Sequence, residues 1–435
     1  MNQITILKKP PKVKIEMSNK IITNFPGTLL IQNFAYRLGI PERIEEIVRV
    51  KERERGYSEA ESIFALVQSM IMGGECLDDL KVLRRDEAVK VLTGFEIPYP
   101  TTEGRFLRRF GLGHIYQLEK VMKLTFKEVW QLKSLVSVTL DFDSSIFPVV
   151  GDKDGADWAW DKEFGYHPLF CFLGETGDWL HFWFRRGNRY TSERGEDFLR
   201  ECLALLPKGV KQRYLRGDSG FYDKNFVVEC EKAGIGFTIT ADQTASLMAR
   251  VFALPDEAWS VLDVADKSEV AEFEYQPYGW AKGYRFLVVR RPYKSGEQID
   301  IFSPQYKYQV VVTNRRGCAR DLVLFHRKKC NVENRIKEVK GGFNLHHLPS
   351  ANFFANWVYF WCGQLAYNLV CWLKRLVLPF GYLNKTIKTM RFRLLCVAGE
   401  VVRRGRQIVL RITNGWPWLK DFWLAYQNIL ALNSS

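Results

Sequence analysis

The nine cysteines of this 435-residue chain include no CxxC pair, and their number is odd. That argues against a zinc site or a disulfide framework and leaves free thiols in a reducing cytoplasm as the expectation. Low-complexity segments and internal repeats are absent, and the composition is ordinary for a globular chain. Disorder, collagen-like repetition and a long coiled coil are therefore excluded as whole-chain architectures. The opening MNQITILKKPPKVKIEM has no apolar core or cleavage site of a secretory leader, which again points to a cytoplasmic location. Uncharged apolar runs are scarce. The one long run, 351–373, could span a bilayer by length, but Asn352, Asn356, Gln364 and Asn368 interrupt it. It reads as a buried, aromatic-rich helix, and no membrane partner is expected. No Ser/His/Asp set and no phosphate-cradling glycine loop stands out. Acid is also in short supply: 49 Asp and Glu face 63 Lys and Arg, for a net charge of +14. Such a balance favours an acidic partner, nucleic acid first.

What is present changes character along the chain. Residues 1–135 read as helical. Ser58 and Glu61 form a capping box before the apolar run Ile63, Phe64, Val67, Met70 and Ile71, and Gly73-Gly74 stops it. Helices are also expected over 29–38, 41–50, 77–92 and 115–132, with a short basic one from Thr101. From 136 the pattern alternates, so 136–147, 167–173 and 179–185 read as strands, the last two joined by the turn 174–177. A helix capped by Ser192, a strand at 212–216, a helix at 223–232 and a strand at 235–240 follow. This β-β-β-α-β-α-β order is that of the ribonuclease-H-like fold. Residues 241–307 read as a β-rich insertion with runs at 270–275, 284–290 and 298–302. A strand at 308–313 and one helix over 319–340 belong to the same core, 136–383. The remainder, 384–435, is basic: Lys385, Lys388, Arg391, Arg393, Arg403, Arg404, Arg406 and Arg411 stand against Glu400 alone up to 411. That cluster reads as a phosphate-binding patch. The expected fold class is thus α/β, a ribonuclease-H-like core with a β-rich insertion behind an all-helical, DNA-binding front domain.

Phosphodiester cleavage needs an activated attacking oxygen and a neutralised leaving oxygen, which two divalent metals held by carboxylates can supply. Mg²⁺ suits such a site because it takes few carboxylates and keeps water and phosphate ligands. Asp141 and Asp143 share one face of an apolar strand, where an unpaired carboxylate is costly. Asp218 ends a strand before Gly220 and a helix, a usual place for an α/β site. On the helix 319–340, His326, Lys329, Glu333, Lys337 and Lys340 fall on one stripe, an acid among cations.

These residues carry a resemblance to the DDE transposases of bacterial insertion sequences, in the branch with Tyr-x2-Arg-x3-Glu-x6-Lys. Here that motif reads His326-x2-Lys329-x3-Glu333-x6-Lys340. Asp143-Ser144-Ser145 and Asp218-Ser219-Gly220-Phe221-Tyr222 match the family's other two motifs, and Gly165-Tyr166-His167-Pro168-Leu169 and Arg186-Gly187-Asn188 resemble connecting segments of its group 1 members. The resemblance implies Asp143, Asp218 and Glu333 as catalytic ligands of two Mg²⁺ ions, with Mn²⁺ able to substitute. It implies cleavage at the element's ends and strand transfer into target DNA, by a homodimer or larger synaptic complex. Lys329, Lys337, Lys340, Arg391, Arg403, Arg404 and Arg406 are the expected DNA contacts. Two departures stand out: the family's Tyr is His326, and its Arg is Lys329, which lacks the bidentate fork for phosphate. Either a looser contact or a partly inactive copy follows from that. A nuclease without strand transfer and an inactive DNA-binding relative are the alternative readings. Asp141, off the motif, is expected to play a structural role or to support a ligand. His167, His346, His347 and Trp280 are expected to pack rather than to bind.

Overall fold

The computed structural model describes residues 17–53, 55–293, 297 and 304–432; the run expected at 298–302 lies outside them. A nine-stranded mixed sheet organises the chain. Its strands are β1 (Ser137–Ser144), β2 (Leu169–Leu173), β3 (Trp179–Trp183), β4 (Gln212–Gly217), β5 (Gly236–Thr240), β6 (Ser260–Asp263), β7 (Ser268–Tyr275), β8 (Tyr284–Arg291) and β9 (Lys307–Thr313). Across the sheet they lie in the order β6-β7-β8-β9-β5-β4-β1-β2-β3. The pairs β1–β4 and β4–β5 are parallel, and every other pair is antiparallel. The helix Gly195–Leu205 precedes β4, and Lys224–Lys232 follows it as the crossover that parallel pairing of β4 and β5 requires. Every residue of β2 is buried, so the sheet is covered on both faces there. The β-rich segment extends this sheet: β9 pairs with β5 through Val311↔Thr240 and Val312↔Ile239.

Local chemistry accounts for several boundaries. Ser58 and Glu61 form the capping box that opens the helix Glu59–Met72, and Gly73 closes it at φ 109°. The single helix expected over 77–92 is broken at Asp86, whose carboxylate accepts from Ala88 and Val89 N–H and starts Glu87–Thr93. Ser192 does not cap the next long helix. Gly195–Leu205 begins after Arg194, which sits in the left-handed region at φ 55°.

Residues from all three expected parts share one apolar cluster. It runs from Leu30 and Phe64 through Leu140 and Phe172 to Trp372, Leu394 and Ile429. Residues 384–435 return to the front of the chain. The hairpin strands Gly399–Arg404 and Gln407–Ile412 form a sheet with Ile22–Thr23, and the helix Leu419–Ala431 packs on Gly27–Arg37. The uncharged run lies in the buried helix Phe353–Leu376. Two of its amides face the edge strand β3: Gln364 donates to Trp179 and Leu180 carbonyls, and Asn368 bonds both N–H and C=O of Trp179. Among the described residues no helix is long and apolar enough to cross a membrane.

Candidate active site

Parallel pairing brings two acids together. Asp141 of β1 lies opposite Arg216 of β4, so two residues further along both strands Asp143 and Asp218 reach the same edge on the same face. Each uses one oxygen locally: Asp143 Oδ1 accepts from Ser144 N–H at 2.9 Å, and Asp218 Oδ1 from Gly220 N–H at 3.0 Å. Their second oxygens share one ammonium. Lys329 Nζ lies 3.3 Å from Asp143 Oδ2 and 3.6 Å from Asp218 Oδ2. Burial pushes the Asp143 carboxyl up to about 7; Lys329 opposes that rise and Asp218 adds to it. Burial opposes the charge on Lys329, yet Asp143 and Asp218 outweigh it and hold the amine above its ordinary value.

The helix expected over 319–340 is not continuous, and its stripe is broken. It runs as Ala319–Arg327 and Cys330–Lys337, followed by a π-helical turn, Glu338–Gly342. At the junction Lys328, Lys329, Asn331 and Val332 N–H groups bond three residues back, a tighter winding that rotates the second helix away from a common stripe. His326 is consequently buried, its ring nitrogens at 3.1 Å from Thr238 Oγ1 and 3.0 Å from Thr240 Oγ1. Burial, with Lys329 nearby, lowers its pKa to about 3. Lys329 turns inward to the acids, while Glu333 and Lys337 are exposed. Glu333 nonetheless raises the Lys329 pKa by its charge. Asp143 and Asp218 converge; Glu333 stands one helical turn beyond their shared cation. Among the described residues no group of three His, Cys, Asp or Glu is assembled as a metal cage. The converging donors are carboxylate oxygens already sharing one positive charge, which suits a hard divalent cation such as Mg²⁺.

Beside these acids opens a cavity of about 450 Å³, lined by Ser144, Ser145, Trp160, Asp161, Glu163, His167, Thr191, Asp218 and Lys340 among others. Lys340 Nζ donates to Ile146 C=O at 2.6 Å and sits over the Phe147 ring. Burial lowers its pKa, against the pull of Glu163, Asp161 and Asp143. His167 bridges Arg189 C=O and Ser144 Oγ, which in turn meets Thr191 Oγ1. A larger cleft of about 560 Å³ lies among Gln32, Glu42, Glu45 and Phe64, and no site residue lines it.

The remaining expected DNA contacts are dispersed. Arg403, Arg404 and Arg406 are exposed at the tip of the C-terminal hairpin, where Gly405 takes φ 59° in a two-residue turn. Arg391 is half-buried and joins elements: its Nε and Nη2 donate to the carbonyls of Met70, Ile71 and Gly342, all at 2.7 Å. Trp280 packs against Tyr222 of the Asp218 loop, ring centroids 5.1 Å apart, and edge-on to Tyr284. Asp141 is fully buried between Arg216 and Arg335. Neither arginine stood out in the sequence, since an arginine on a polar helix or at a strand end looks solvent-facing there.

No individually curated protein matches the chain. Among solved structures, similarity is found to a cryo-EM structure of the piggyBac transposase synaptic complex with hairpin DNA. The identity is 12%, the TM-score 0.48, and the match covers 85% of this chain and 79% of that one. At family level the match takes in residues 6–434, and the chain belongs to the family described as transposase DDE domain group 1.

Proposed function

We propose that this protein is the transposase of an insertion sequence, cutting DNA at the element's ends and joining the freed ends to target DNA. One observation carries the reading: Asp143 and Asp218, from adjacent parallel strands, converge on one cation position with Glu333 a helical turn away. In this reading β1–β5 and their helices are a ribonuclease-H-like core. Asp143, Asp218 and Glu333 would hold two Mg²⁺ ions, or Mn²⁺ in their place, which activate the attacking oxygen and neutralise the leaving one. Lys329 then gives up its place between the carboxylates and faces the phosphate. Lys340, in the cavity wall, orients the strand end, and the exposed Lys337, Arg403, Arg404 and Arg406 hold flanking phosphates. Arg391 is left out because its Nε and Nη2 are engaged by backbone carbonyls. Two ends must meet, so the working form is a homodimer or larger assembly on DNA.

Replacing Asp143, Asp218 or Glu333 by its amide removes a charge at nearly constant volume. The expected outcome is a folded protein that binds labelled end DNA as well as before, or slightly better. Nicking and strand transfer in Mg²⁺ or Mn²⁺ should both fall by orders of magnitude, and the losses should not add. Full activity in Asp218→Asn or Glu333→Gln would sink the three-carboxylate site. Nicking by the unaltered protein without strand transfer would make it a nuclease, and neither activity an inactive relative.

A further inference from the structure

Directly behind the proposed acids lies a second set of three charged residues, each two positions away from one of them. Asp141 precedes Asp143 on β1, Arg216 precedes Asp218 at the end of β4, and Arg335 follows Glu333 on the helix Cys330–Lys337. The three meet in the interior. Arg216 Nε and Nη2 donate to Asp141 Oδ1 and Oδ2 at 2.5 and 2.8 Å, a bidentate pair whose carboxylate is fully buried. Arg335 Nη1 reaches Asp141 Oδ2 at 3.4 Å. Arg335 also donates to the carbonyls of Leu173 and Gly174 at 3.1 Å each, and Arg216 Nη1 to that of Phe325 at 3.0 Å. The turn leaves room for the set: a Cβ on Gly174 would lie 2.6 Å from Arg216 Nη2 and 3.4 Å from Asp141 Oδ2.

We infer that Asp141, Arg216 and Arg335 are positioning residues that fix the helix carrying Glu333 against the two strands carrying Asp143 and Asp218. The inference rests on the three-acid site proposed above. Strand pairing alone aligns Asp143 with Asp218, because β1 and β4 share a hydrogen-bonded register. Nothing of that kind aligns Glu333, whose helix follows a tightened junction and precedes a π-helical turn. Val332 and Ile336 seat the helix in the apolar cluster, and Arg335 adds the polar constraint that fixes its register. It reaches one carboxylate and two carbonyls on β1, β2 and the turn after β2, so the helix can neither slide along the sheet nor roll on it. Arginine is needed for this, since a lysine ammonium cannot present a planar fork to three acceptors at once.

Arg335→Met cuts the helix from the set and leaves the buried Asp141–Arg216 pair whole. Groups that orient metal ligands typically change metal affinity by about 10- to 100-fold when removed. In the full-length chain, Arg335→Met should therefore weaken Mn²⁺ binding by about that factor and slow nicking in proportion, with KM for DNA unchanged. Arg335→Lys should recover part of the loss; it also provides the decisive measurement if the methionine variant does not fold. In a Glu333→Gln background, Arg335→Met should cost little more, because the arginine acts through Glu333. Unchanged Mn²⁺ binding and nicking in a folded Arg335 variant would overturn the inference, as would an undiminished further loss in the Glu333→Gln background. If Asp143→Asn and Glu333→Gln leave Mn²⁺ binding untouched, the site reading itself fails and the inference with it.

Discussion

Asp143 carries the sharpest residue-scale consequence, because its carboxyl titrates close to neutrality without metal. A carboxyl raised from 3.8 to about 7 in the folded state releases its proton first in the unfolded chain. Metal-free stability should accordingly fall as pH rises from about 4 to 7. Stabilisation by Mg²⁺ should grow across the same window, since binding displaces that proton. Thermal melting from pH 4 to 8, with and without Mg²⁺, checks both trends, and Asp143→Asn should flatten both. Lys329 gives a second test. Lys329→Arg restores the family residue, keeps the charge between Asp143 and Asp218, and should leave nicking unchanged or higher. Loss of nicking in Lys329→Arg but not in Lys329→Ala would mean that a cation at this position does not serve the phosphate. The sequence singled the two acids out for different reasons: Asp143 sits inside an apolar strand where a carboxylate is costly, and Asp218 ends a strand before Gly220. The direction of Lys329 was not legible: Arg327-Lys328-Lys329 contains no Pro, Gly or capping residue to announce a change of winding.

Elements with a local signal were easiest to read. The capping box of Glu59–Met72, the strands on either side of 174–177 and the helix after Asp223 all carry their start or stop in one or two side chains. Asp86 has the same kind of signal, yet the apolar periodicity across it suggested a single helix. The amides of Phe353–Leu376 looked like interruptions of an apolar run. Asn356 bonds Ser350 nearby in sequence, but Gln364 and Asn368 bond the backbone of β3, almost two hundred residues away, and no local pattern encodes that. The hairpin Gly399–Ile412 invites its own experiment. Arg403, Arg404 and Arg406 are exposed around Gly405, and among the described residues none of the three forms an ion pair. Each phosphate contact contributes about 0.9 to the slope of log K against log salt. Replacing all three by glutamine should flatten that slope by roughly 2 to 3 and leave melting unaltered. An unchanged slope would place the DNA contacts elsewhere.

At the scale of the whole molecule, the continuous apolar cluster predicts cooperative behaviour. A fragment covering 136–383 would expose the faces on which Glu59–Met72 and Leu112–Leu132 pack. Expressed alone, it should lack a sharp thermal transition, whereas the full chain should melt in one step. Two separate transitions in the full chain would contradict this. The closure also bears on synthesis. Arg391 bonds the carbonyls of Met70 and Ile71 about 320 residues after they are made. The helix that covers Glu59–Met72 ends only at Leu376. On a ribosome adding about 5–20 residues per second, the front helices wait roughly 15–60 s for their partners. Over that interval Phe64, Val67 and Ile71 belong to a nascent chain still short of its core. A product truncated before Leu376 would lack the complete helix that packs on them, so closure of the apolar cluster waits on residues made about three hundred positions later.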